Sequence, residues 1–290
     1  MLEPLRRVVV LTHLLPETTA QALPELAECA AGLGAELFLP ADEAAKHPGY
    51  EAWGYRQIDE VEVRAADLCL VLGGDGTILR ALGRMLGSGV PTLGINFGTV
   101  GFLASLDQRD WRAELAATLA GKYQVVELLT VEARFLGQRF TGVNDVVLSR
   151  VEPRRVLRLE YEVSGTFVGD MFCDGMIIAS PTGSTAYNLS CDGPLVVWDA
   201  SVLVLNFIAP HSLGFRPVVL RPDHVITARN MSPLDEAEIA VDGDIVGRLR
   251  CGDSLDIAAS ELRARLLVRE GGTFYRNVEE KLFYRPGDAR

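Results

Sequence analysis

Cysteine is scarce in this chain, positive charge is in deficit and no long apolar run occurs. The five cysteines in 290 residues, Cys29, Cys69, Cys173, Cys191 and Cys251, are odd in number, widely spaced and free of any CxxC pair. That pattern argues against a disulfide framework and a zinc site, and fits reduced thiols in a cytoplasmic protein. Lysine and arginine total 28 against 39 aspartates and glutamates, for a formal charge of −11 and a sequence pI of about 4.9. The chain therefore lacks the basic field that displaces counterions from phosphate backbones, which argues against polymeric nucleic acid as a partner. A small anionic nucleotide stays open, because local backbone amides and a few arginines can outweigh a distant acidic surface. No stretch approaches membrane-spanning length, so no membrane partner is expected. The early run VVVLTHLL, with Glu3 before it and PETTA after it, reads as a buried strand rather than a signal peptide.

What is present is ordinary globular material, 48% hydrophobic and 23% charged, without internal repeats or low-complexity tracts. From Arg7 to about Lys122, short apolar runs (RVVVLTH, ELFLP, ADLCLVL, PTLGIN) alternate with helical stretches. One of these carries Leu23, Leu26, Ala27 and Ala30 at helical spacing. Such alternation predicts a parallel, doubly wound α/β domain over residues 1–122. Segment 40–65 is polar and irregular and reads as a mobile loop. After Lys122 the segments turn β-rich and are joined by Gly, Asp or Pro turns, predicting an antiparallel sheet or sandwich over 123–269. The last helical pattern, YRNVEEKLFY within 270–290, is expected to pack back on the first domain or on a partner chain.

The chemistry-bearing segments begin with LVLGGDGTILRAL. Gly73, Gly74, Asp75, Gly76 and Thr77 follow a predicted strand and open a helix, at the carboxyl end of a parallel sheet where such folds bind ligands. Glycines let backbone approach a phosphate, and the helix N-terminus offers unpaired N–H groups to its oxygens. Asp75 is the anomaly, since a carboxylate beside a phosphate is repelled. It must cap the helix, bind a divalent cation or take a proton from an attacking hydroxyl, and spacing leaves all three open. The segment is neither a GxxxxGK[ST] loop nor a GxGxxG fingerprint. A second glycine loop, GINFGTVGFLA, follows the next strand. DGMIIASPTGSTAYNLS, 174–190, ends a strand in hydroxyls and backbone amides beside the face of Tyr187, groups suited to adenine and ribose. A serine nucleophile there lacks both a GxSxG elbow and a suitably placed partner among His13, His47, His211 and His224. Asn144-Asp145 interrupts a strand pattern, VDGD at 241–244 reads as a hairpin turn, and Arg80 lies one helical turn beyond GGDGT.

In order along the chain, GGDGT, GINFGTVGFL, Asn144-Asp145, DGMIIASPTGSTAY, HSLGFRPVV and VDGD resemble the NAD kinases. GGDGT alone is also similar to diacylglycerol and sphingosine kinases and, more loosely, to phosphofructokinases; the PTGSTAY segment is far more specific. The resemblance implies a Rossmann-like N-terminal α/β domain, then a C-terminal β-sandwich domain that binds NAD, and phosphorylation of the adenosine-ribose 2′-hydroxyl to give NADP. By the same resemblance Asp75 is the general base, Gly76 lies against the nucleotide, and Arg80 approaches phosphate. Gly73, Gly74 and Thr77 complete the phosphate turn. Asn144 and Asp145 bind ribose or base edges, and Asp174 holds the distal half of NAD. Thr182, Thr185, Ala186, Tyr187, Asn188, Leu189 and Ser190 line the adenine pocket, and Asp244 makes another NAD contact. ATP or polyphosphate is the implied donor and Mg²⁺ the implied cation, with no protein metal ligand assigned. A homodimer or homotetramer is implied as well. The chain departs from the family in having Asp145 where Glu is usual, one methylene shorter, and Ser180 where Thr often precedes PTGSTAY. The rival readings are a lipid kinase with the same GGDGT loop, disfavoured by the acidic charge, and a non-catalytic nucleotide sensor.

Overall fold

The computed structural model describes residues 5–97, 101–107, 111–212, 214–269 and 274–283. The chain divides into two compact units, Met1–Glu127 with Ala264–Arg290 and Leu128–Arg263. Composition changes where the strand Tyr123–Phe135 begins, whereas the division falls inside that strand and inside Ser254–Arg269, because each strand runs on from one unit to the other.

In the first unit the strands are β1 (Arg7–Thr12), β2 (Glu36–Pro40), β3 (Arg56–Ile58), β4 (Leu68–Gly73), β5 (Thr92–Asn96) and β6 (Leu106–Asp107). Its helices are α1 (Ala22–Gly32), α2 (Ala41–Ala44), α3 (Glu60–Val63), α4 (Asp75–Met85) and α5 (Trp111–Leu119). The order β3-β2-β1-β4-β5 is parallel throughout. β4, every residue buried, reads as an unbroken apolar run because helices and neighbouring segments cover both its faces. α1 buries Leu23, Leu26 and Ala30, and α4 buries Ile78, Ala81, Leu82 and Met85, the i, i+3, i+4, i+7 stripe of a helix laid on a sheet. Segment 40–65 is ordered rather than a mobile loop. It contributes α2, β3 and α3, with Asp59 and Glu62 forming a capping box. Arg84 of α4 reaches across to Asp42 at 3.0 Å and to Glu60 at 2.7 Å. The polar residues that suggested a loop are these surface partners.

The second unit holds β7 (Tyr123–Phe135), β8 (Gln138–Gly142), β9 (Asp145–Arg150), β10 (Leu157–Val163), β11 (Thr166–Cys173) and β12 (Gly175–Ala179). They are followed by α6 (Tyr187–Ser190), β13 (Leu203–Ile208), β14 (Val218–Leu220), β15 (Ile226–Asn230), β16 (Ala237–Val241), β17 (Asp244–Leu249) and β18 (Ser254–Arg269). One antiparallel sheet runs β14-β13-β12-β9-β16-β17, and the other runs β11-β10-β15-β18. Side chains of both meet in one core: Val146, Leu148, Met176, Ile178 and Phe207 from the first, with Leu159, Tyr161, Ala228 and Ile257 from the second. This is a β-sandwich, as predicted. β12 is buried on both faces, because Ile177 and Ala179 turn outward into a smaller cluster with Val147 and Val204, against which Cys191 and Val196 pack. The segment after β12 is thus folded down over its own sheet. A last helix, α7 (Phe274–Val278), continues in a wider turn to Phe283. No helix among the described residues is long and apolar enough to cross a membrane.

Candidate active site

In the first unit the glycine turn sits where β4 ends. Gly74 is the extended N-cap and α4 starts at Asp75. Asp75 does not cap its own helix. Its Oδ2 accepts the Phe102 N–H at 2.5 Å and its Oδ1 the Leu103 N–H at 3.0 Å, so the carboxylate is fixed by the second glycine loop. Gly101 makes that approach possible: a Cβ there would lie 1.9 Å from Asp75 Oδ1. Thr77 is buried, and Gly73 leaves room for it, since a Cβ at 73 would meet Thr77 Oγ1 at 2.7 Å. Gly76 and Arg80 are exposed on the first turns of α4. Residues 98–100 of GINFGTVGFL lie outside the described residues, as do 109–110 at the head of the helix predicted in RDWRAELAATLAG, Leu213 of HSLGFRPVV, and 270–273 and 284–290 of the C-terminal segment.

The neighbouring strand end is fixed by a buried polar group that sequence reading missed. Thr12, paired in register with Leu72, donates its N–H and Oγ1–H to Glu43 Oε2 at 3.1 and 2.7 Å, and its Oγ1 lies 2.9 Å from His47 Nε2. Burial lowers the His47 pKa, with Glu43 opposing and Lys46 reinforcing that shift. A recess of about 540 Å³ opens at the other end of β4 and β5, lined in part by Arg64, Asp67 and Arg265. It lies away from the glycine turn, and its arginines already donate to the carbonyls of Arg84, Leu86 and Gly89.

In the second unit the predicted residues gather around Asp242, which the sequence marked only as part of a hairpin turn. Asp242 and Gly243 have φ of 49° and 88°, the left-handed pair that a two-residue hairpin requires between β16 and β17. The Asp242 carboxylate accepts three amides, Val143 N–H at 2.7 Å, Asn144 N–H at 2.7 Å and Asp145 N–H at 3.2 Å. Gly142 is needed there, as a Cβ would reach Asp242 Oδ1 at 2.9 Å. Asp145 is buried beside it. Loss of water, then the neighbouring Asp242 charge, pushes its pKa up to about 7. Asp242 is also raised by burial, against the pull of its three amides.

The PTGSTAY loop closes on the same strand end. Ser180 donates its N–H to Asn144 O at 2.8 Å and its hydroxyl to Val143 O at 2.6 Å, and Gly183 packs so tightly that a Cβ would sit 2.1 Å from Asn144 O. Ser184 and Asn188 are internal braces: Ser184 bonds Pro181 O and Val196 N–H, and Asn188 bonds Pro194 O and Asn206. Thr185 gives its hydroxyl to Thr182 O at 3.0 Å. Two buried polar atoms here have no partner within the protein, Asn144 Oδ1 and Thr182 Oγ1. Buried polar groups are paired as a rule, so these two are suited to a ligand. Ala186 and Leu189 are half-buried and Tyr187 and Ser190 exposed. Asp174 pairs with Arg150 at 2.9 Å, and Asp244 is an exposed residue at the start of β17.

A Rossmann-like unit that presents a carboxylate in a glycine turn, in one chain with a β-sandwich whose hydroxyl-rich loop leaves buried polar atoms open, fits a nucleotide-dependent phosphotransferase. Residues 34–123 match the family profile of the ATP-NAD kinase N-terminal domain, and 143–268 that of the ATP-NAD kinase C-terminal domain. An NAD kinase of Moorella thermoacetica is 38% identical over 229 residues, 78% of this chain and 74% of its own length. One of Polaromonas naphthalenivorans is 33% identical over 291 residues, 98% of each chain. Among solved structures, an NAD kinase from Archaeoglobus fulgidus in complex with ATP superposes with a TM-score of 0.76 at 25% identity, over 96% of this chain and 98% of that one. Yeast NADH kinase complexed with NADH gives 0.85 at 22% identity, over 99% and 90%, a likeness of fold. The chain belongs to the NAD kinase family and is an enzyme, a phosphotransferase.

Proposed function

We propose that this protein transfers the terminal phosphoryl group of ATP to the 2′-hydroxyl of the adenosine ribose of NAD, giving NADP, with Asp75 as general base. The observation that carries the reading is the Asp75 carboxylate, held by two amides at the mouth of a glycine turn in a chain of this family. The ribose oxygen forms a bond to the γ-phosphorus while the bond to the ADP oxygen breaks, and the hydroxyl proton passes to Asp75. Two amides fix the carboxylate's direction and leave each oxygen a further lone pair for that proton. The glycine turn, Gly73 to Thr77, and the start of α4 supply N–H groups and the positive end of a helix dipole to phosphate oxygens, and Arg80 adds charge.

Asn144 Oδ1 and Thr182 Oγ1 meet polar groups of NAD, Asp145 bonds its ribose or base edge, and the loop from Thr185 to Ser190 contacts adenine. Asp174 and Asp244 extend the binding surface. Among the described residues no three His, Cys, Asp or Glu side chains form a metal-binding group. A Mg²⁺ ion carried by ATP would neutralise phosphate charge. We place the protein in the cytoplasm as a homodimer or homotetramer, a reading supported by its family and its unpaired cysteines.

The test is NADP formation by purified Asp75→Asn protein, in assays offering ATP, polyphosphate or no donor. The amide is nearly isosteric, so NAD binding should survive while kcat falls by about 100-fold or more. Near-normal turnover would remove Asp75 from the chemistry.

A further inference from the structure

We infer that Asn277 and Lys281, on the helical segment near the C-terminus, are positioning residues for phosphoryl transfer, acting on Asp75 through Phe102. This rests on the reading of Asp75 as base. Phe102 is the residue whose N–H meets Asp75 Oδ2 at 2.5 Å. The same residue is gripped from its other side: Asn277 Nδ2 donates to Phe102 O at 2.7 Å, and the Lys281 ammonium lies 4.5 Å from the centroid of the Phe102 ring. Asn277 and Lys281 are four residues apart on one helical face, so a single short element holds both the carbonyl and the ring of one residue. All of these groups belong to the first unit.

The arrangement has a physical reason. Residue 101 must be glycine, because any side chain would enter the Asp75 carboxylate, and a glycine beside the bonding amides adds backbone freedom at that point. A loop with that freedom does not by itself hold an amide in place to within a few tenths of an ångström. The hydrogen bond donated by the Asn277 side-chain amide to Phe102 O and the cation over the Phe102 ring supply the restraint from outside the loop. The Lys281 ammonium is buried, so its attraction to the ring is not diluted by water. Neither side chain touches the reacting atoms. Their contribution is orientation of the base, which appears in kcat and leaves ground-state binding of NAD alone.

The test uses full-length Asn277→Leu, Lys281→Met and Lys281→Arg proteins. NADP formation gives kcat and KM, calorimetry gives NAD affinity, and each change is repeated on the Asp75→Asn background. Expected is a fall in kcat of about tenfold or more for Asn277→Leu and for Lys281→Met, with KM for NAD within about twofold, and recovery of most turnover in Lys281→Arg. On the Asp75→Asn background neither change should lower the residual rate further, because the group they orient is gone. Lys281→Met keeps the apolar stem and carries the test should Asn277→Leu fail to fold. Normal kcat in both single variants, with Asp75→Asn inactive, overturns the clamp and leaves the base standing. An equal fall on both backgrounds also overturns it. Normal turnover in Asp75→Asn overturns both readings.

Discussion

Replacing Asp145 by Asn should make this protein's stability less sensitive to pH. Asp145 is 5% exposed, and burial with the nearby Asp242 carboxylate raises its pKa to about 7. A carboxyl group raised in this way keeps in the folded chain a proton that the unfolded chain releases. Its stabilising contribution is therefore complete below the unfolded pKa and is lost as pH rises through about 7. The span from an ordinary aspartate to that value corresponds to ~4 kcal/mol, an upper figure because coupling to Asp242 shares the effect. Asparagine matches the shape of the protonated acid and cannot ionise. Wild type and Asp145→Asn should thus differ by ~1.5 kcal/mol or less at pH 5, with the variant gaining a further ~2 to 3 kcal/mol relative to wild type by pH 8. Urea unfolding of both proteins without nucleotide at pH 5, 6, 7 and 8 measures the difference. Parallel stability curves would show that Asp145 is not protonated in the folded chain and refute the reasoning.

Other perturbations follow from the same contacts. Asp242→Ala removes the acceptor for three amides, and unfolding free energy should drop by about 3 kcal/mol or more, read by denaturant titration. Gly183→Ala forces a Cβ against the Asn144 carbonyl, which is backbone and cannot give way, so NAD affinity by calorimetry should weaken by about tenfold or more with the circular dichroism unchanged. Gly101→Ala drives the Asp75 carboxylate from its amides, and kcat should fall by about 100-fold while KM for NAD stays close to wild type; an active Gly101→Ala enzyme would separate that loop from catalysis.

Local chemistry was readable before the fold was known. GGDGT and SPTGSTAY are contiguous, and each announces a strand end, a tight turn and a helix by residue type alone. The α/β and β-sandwich halves were legible for the same reason, since period and composition are properties of short windows. Contacts made across long stretches of chain left no such signal. VDGD looked like a hairpin turn and is one, yet its first aspartate also satisfies amides at 143–145, nearly a hundred residues earlier. Gly101 looked like one more loop glycine until Asp75 was seen to fill the place of its side chain. The start of α4 carries no capping side chain to mark it, because a bare glycine, Gly74, caps the helix. Segment 40–65 looked unstructured because its ion-pair partner, Arg84, belongs to a later helix.

The long strand β18 crosses from the sandwich into the first unit, where Leu266 pairs with Thr92 of β5. Synthesis proceeds from the amino end, so the ribosome has made the glycine turn, the α/β strands and the sandwich before it delivers the end of this strand and the helical segment that grips Phe102. The α/β half cannot be finished when its own first stretch emerges. Partial translation products that already display GGDGT and PTGSTAY therefore lack Asn277 and Lys281, the groups inferred above to steady the base.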